Sequence, residues 1–81
     1  MADNTPAFVP PTVAAKIAEI EPRARRLGWQ PARLLNPNLD DYGRPQGLAS
    51  VLEPGDAIVA VKRDYISVRK NRHHVLRFPR G

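Results

Sequence analysis

Nine prolines and five glycines in 81 residues constrain this chain more than any other feature. Each proline fixes φ, lacks an amide donor and disfavours helix at the residue before it. Punctuation this dense forbids one long helix and predicts short elements joined by several turns. A chain of this length makes one domain, and one that small buries only about 60% of its unfolded surface. Its 42% hydrophobic content is still enough for a packed core, so the chain does not read as disordered.

The first eleven residues, with Pro6, Pro10 and Pro11, read as an extended arm. Phe8 and Val9 are its large apolar groups, placed either to fold back over the core or to insert into a partner. The single domain then runs over residues 12–81. Thr12 to Leu27 is the best helix, with Thr12 as candidate N-cap. Val13, Ile17, Ile20, Ala24 and Leu27 recur at helical spacing and share one face. Arg23, Arg25 and Arg26 suit the negative end of the dipole, and Gly28 suits a left-handed C′ position. Pro22 interrupts this pattern and predicts a kink or two short helices meeting there.

Pro31 to Leu35 reads as a second, short helix, with proline at its first position. Residues 38–47 form a loop by composition, and Gly47–Leu52 is apolar but too short to assign by period; it reads as strand or helical turn, with helix favoured. Glu53-Pro54-Gly55-Asp56 fits a type II turn. Three β segments follow: Ala57–Lys62, Tyr65–Lys70 and His73–Phe78, separated by Arg63-Asp64 and Asn71-Arg72. Connections this short predict an antiparallel meander, closed by Pro79. The expected fold is α+β, with both helices on one face of a three-stranded sheet.

Charge is distributed unevenly along the chain. Residues 1–61 carry six Lys/Arg against seven Asp/Glu; residues 62–81 carry seven Lys/Arg against Asp64 alone. A cationic cluster of this kind points to an anionic partner. Strand alternation puts Ile66, Val68, Leu76 and Phe78 towards the helices and Tyr65, Ser67, Arg69, His73 and Arg77 towards water. Lys70 and Arg72 fall at the turn. Guanidinium groups pair with phosphate oxygens and a tyrosine ring stacks on an unpaired base, so this face suits nucleic acid. Its candidate contacts are Arg63, Tyr65, Arg69, Lys70, Arg72, His73, Arg77 and Arg80. Solvated arginines on strands also prevent aggregation, which leaves a protein adaptor or inhibitor as the second reading. Its candidate contacts are Phe8, Tyr42 and Arg44.

Other chemistry finds little support. The five glycines are scattered, forming no phosphate loop, and neither Ser50 nor Ser67 sits in a nucleophile elbow. His73 and His74 are strand neighbours pointing to opposite faces, so they do not converge on a metal. The expectation is therefore a non-enzymatic binding module without cofactor or metal. The absence of cysteine indicates a reducing compartment. With no basic-then-apolar leader and no membrane-length apolar run, a cytoplasmic protein is expected, as a monomer or a weak homodimer through an open sheet edge. Trp29 is expected in the core, as the chain's largest apolar side chain.

Overall fold

The computed structural model describes residues 9–81. The expected arm, Phe8 included, lies outside the described residues apart from its last three positions.

Helix α1 spans Pro11–Arg26 as one element and continues through Pro22. Two separate helices do not form, for a local reason. Proline removes the amide that would bond the Ala18 carbonyl, but Ala18 and Pro22 are both exposed, where water can take that acceptor. The start also differs from expectation. Pro10 is the N-cap and Pro11 the first helical residue, and no side-chain cap bond forms, so Thr12 does not cap. At the C-terminus, Gly28 takes φ 102°. Its amide bonds the Arg25 carbonyl and the Trp29 amide bonds that of Ala24, each at 3.0 Å. This pair of bonds is a Schellman motif, and it directs Trp29 into the core beside Ala24.

Helix α2 is Pro31–Leu35, and Leu48–Ser50 forms a 3-10 turn, which settles the apolar Gly47–Leu52 segment in favour of helix. Gly47 is obligatory for packing: a Cβ there would lie 2.5 Å from the Asn36 carbonyl oxygen. The turn at residues 53–56 closes by the Asp56 amide on the Glu53 carbonyl at 2.9 Å. Gly55 does not take positive φ, so the turn is not type II; proline at the second position suits type I equally.

Strands β1 (Ala57–Val61), β2 (Tyr65–Asn71) and β3 (His74–Pro79) form the antiparallel meander in the order β1-β2-β3. The fold is thus α+β, as the sequence pattern predicts. The second connection is Arg72-His73 rather than Asn71-Arg72. A bulge between Arg69 and Asn71 adds a residue, and the Asn71 carboxamide oxygen accepts the His73 amide at 2.9 Å, starting the turn one position later. The first connection has three residues, Lys62–Asp64, since Arg63-Asp64 lacks the glycine of a tight hairpin. Pro79 ends β3 from inside it.

The core joins Val13, Ile17, Ile20 and Ala24 of α1 to Trp29, Leu34, Leu48, Leu52, Ile66, Val68 and Phe78. Trp29 stacks on Phe78 with ring centroids 6.0 Å apart, and its indole N–H donates to the Lys62 carbonyl at 2.8 Å. The largest side chain therefore brings its own polar atom satisfied into the interior.

Candidate nucleic-acid interface

The strand pairing fixes what each face of the sheet displays. Ile58, Val68 and Leu76 make one cross-strand row and Val61, Ile66 and Phe78 the next. These rows pack with the helices. The alternate rows are Ala57, Arg69 and Val75, then Ala60, Ser67 and Arg77, then Tyr65 with Pro79. They form the outer face, and none of their positions is a carboxylate. Arg69, Val75 and Arg77 are exposed.

Arg77 holds its guanidinium carbon 4.9 Å from the centroid of the Tyr65 ring. Such a contact contributes about 0.5–1 kcal/mol at an exposed site and restrains a flexible cation. A planar cationic platform results, of the kind on which bases stack. Beyond it along β2 come Arg69 and then Arg72 and His73 on the second turn, with Arg63 on the first turn at the opposite end. At 3.3 Å per residue the seven residues of β2 give this stripe a length of about 20 Å. Ser67 lies in the stripe, between Ala60 and Arg77, but is only 7% exposed. Strand alternation alone places it in water.

Two of the expected phosphate contacts are engaged within the fold. Lys70 points away from Arg69, under the sheet end, where its ammonium binds the Asp56 carboxylate and the Val51 carbonyl, the latter at 2.5 Å, with Glu53 at 3.5 Å. Asp56 is buried, and burial pushes its pKa up; the Lys70 hydrogen bond, the Glu53 amide and the charges of Lys70 and Lys16 outweigh that and hold it below the usual carboxylate value. Lys70 is a structural cation, not a turn residue free for phosphate. Arg80 folds back over Gly28, donating to the carbonyls of Leu27 at 3.2 Å and Arg63 at 3.3 Å. It thereby ties the end of α1 to the first turn of the sheet.

Sequence reasoning missed the cations that hold the loops. Arg33 of α2 donates to the carbonyls of Arg80 at 2.8 Å, Pro79 at 2.7 Å, Pro45 at 3.2 Å and Gln46, and sits 4.3 Å above the Phe78 ring. Burial lowers its pKa. Lys16 similarly binds the Pro54 carbonyl at 2.7 Å and that of Asp56. No local pattern betrays these roles, since every partner is a backbone carbonyl remote in sequence.

The alternative protein-contact residues Tyr42 and Arg44 do come together, 5.5 Å apart, and Tyr42 is 83% exposed. Their loop is built on Asp40, whose carboxylate accepts the Tyr42 and Arg44 amides at 2.8 Å each. The Arg44 amide bond holds the Asp40 pKa below its usual value against desolvation, helped by the Tyr42 amide and the Arg44 charge. Phe8, the third such residue, lies outside the described residues. Among the described residues no group of three or more His, Cys, Asp or Glu is placed to hold a metal ion, and no helix is long and apolar enough to cross a membrane. Comparison with protein-family models, curated proteins and solved structures finds no match to this chain.

Proposed function

We propose that this protein is a non-enzymatic, single-stranded nucleic-acid-binding accessory module that uses the outer face of its sheet. The observation that carries the reading is the Tyr65–Arg77 stack on an open face whose strand rows hold no carboxylate among the described residues, Asp64 lying on the first turn beside Arg63. Arg69, Arg72 and Arg63 supply phosphate contacts along the stripe and His73 a further polar contact, while Tyr65 and Arg77 take an unpaired base. Lys70 acts indirectly, by fixing the end of β2 on Asp56.

A single strand fits better than a duplex. Three strands already span about 10 Å between the outer backbones, and side chains widen the sheet beyond what a major groove of about 12 Å admits. The module acts in the cytoplasm, as a monomer or weak homodimer, without a cofactor.

Fluorescence anisotropy with mixed-sequence single- and double-stranded oligonucleotides at about 50 and 200 mM salt tests this. The expected result is micromolar binding that favours single strands and weakens at least tenfold across that range, roughly the loss for a few phosphate contacts. Absence of binding at the lower salt would sink the proposal and turn attention to the Tyr42–Arg44 loop.

A further inference from the structure

Beside the first turn of the sheet, on the helical side of β3, lies a solvent-open cleft of about 400 Å³. Gly28, Gln30, Arg33, Gln46 and Arg80 line it, with Ala32 and Asn36. Two guanidinium groups face one space, and no carboxylate is among its lining residues. We infer that this cleft is a binding site for a phosphate group.

The donor inventory supports that ligand. Of the five N–H donors of a guanidinium, Arg80 directs its Nη1 group at the Leu27 and Arg63 carbonyls. Its Nε and Nη2 donors bond no acceptor among the described residues, and these are the donors that pair side by side with an oxyanion. The Arg80 head is also held in place. Gly28 provides its seat: a Cβ there would lie 2.7 Å from Nη2, so only glycine, already required by φ 102°, lets the guanidinium lie flat on the chain. Arg33 supplies a second fixed cation, anchored through four backbone carbonyls. Positioned donors lose little freedom on binding, which favours a small rigid anion. Gln30, exposed beside the cleft, adds a carboxamide with no hydrogen-bond partner among the described residues.

The phosphate has two chemical sources, a nucleic-acid backbone or a free phosphorylated small molecule. The cleft lies at the first-turn end of the sheet, where the Arg80 amide bonds the Asp64 carbonyl at 2.9 Å and Pro79 pairs with Tyr65. The cleft stands on its own residues, however, and does not require the sheet-face reading.

The test is a titration of 15N-labelled protein with inorganic phosphate, then adenosine monophosphate, then a short single-stranded oligonucleotide, each against chloride at matched ionic strength. Saturable shifts of the Gly28 amide, the Gln30 carboxamide and the Arg80 Nε–H with phosphate, absent with chloride, are expected. Gln30→Glu places a carboxylate at the rim without touching a bond of the fold, and weakens phosphate binding by roughly tenfold. Arg80→Lys keeps the charge but loses the paired donors, and weakens it as well. Cleft shifts with phosphate, with none in the cleft or on the outer sheet face with the oligonucleotide, assign the site to a small molecule and remove the sheet-face reading alone. Cleft signals unmoved by phosphate, or moved equally by chloride, overturn the inference, as does unchanged phosphate affinity in Gln30→Glu.

Discussion

The two faces of one three-stranded sheet treat positive charge in opposite ways. On the helical side and at the strand ends, Lys16, Arg33, Lys70 and Arg80 are bound to carbonyls or to Asp56. On the outer side, Arg69 and Arg77 carry no ion pair among the described residues, and Arg77 rests on an aromatic ring. A count of cations in the last quarter of the chain cannot distinguish these groups. Adjacent residues Arg69 and Lys70 belong to different groups because a strand turns successive side chains to opposite faces.

That pair offers the sharpest contrast. Lys70→Met leaves the buried Asp56 carboxylate without its partner and lowers stability by about 3 kcal/mol, read by urea denaturation. Arg69→Met changes stability by less than about 0.5 kcal/mol, as exposed substitutions do. Equal costs for the two would break the distinction between structural and free cations. The same carboxylate sets a pH dependence. Its folded pKa is depressed, so the stability it contributes is complete above the unfolded value of about 3.9 and is lost as pH falls through the folded one. Asp56→Asn removes that share of the acid limb, visible as a flatter stability profile below about pH 4.

A smaller effect is expected at Gly47, on the helical side. Gly47→Ala forces Cβ against the Asn36 backbone and destabilises by about 2 kcal/mol, measured by thermal melting, through overpacking where a flexible side chain is not available to yield. The smallest effect belongs to the outer face. Tyr65→Ala lowers the melting temperature by roughly 4–8 °C, the loss of about 1 kcal/mol of half-buried strand and cation contact, while single-strand affinity falls by at least about 1 kcal/mol, as loss of one base stack requires. A large stability loss with unchanged affinity would reassign Tyr65 to the framework.

Much of this architecture is legible from local pattern. The Val13–Leu27 spacing, the Gly28 stop, the three β segments and the burial of Trp29 follow from periodicity and from glycine and proline chemistry, and the structure contains each of them. Three kinds of feature escape such reading. Pro22 does not divide α1, because Ala18 and Pro22 are exposed and water can take the orphaned acceptor, a matter of tertiary placement. The one-residue shift of the second turn depends on a bulge and an Asn71 side-chain bond, and both are decided by strand pairing. The roles of Arg33, Lys70 and Arg80 depend on carbonyls and a carboxylate brought from elsewhere in the chain, so composition reads them as surface charge.

The central claim is that binding belongs to the outer face and not to net charge. Two variants that change the charge equally separate these: Arg69→Ala with Arg77→Ala on that face, and Ala15→Glu with Ala18→Glu on the exposed side of α1. Anisotropy titration of one single-stranded oligonucleotide at about 50 mM salt compares them directly. A loss of tenfold or more in the arginine double variant, against less than about threefold in the helix variant, is the predicted result, because charges distant from the contact are screened. Equal losses in the two variants would contradict the account and reduce the binding to bulk electrostatics.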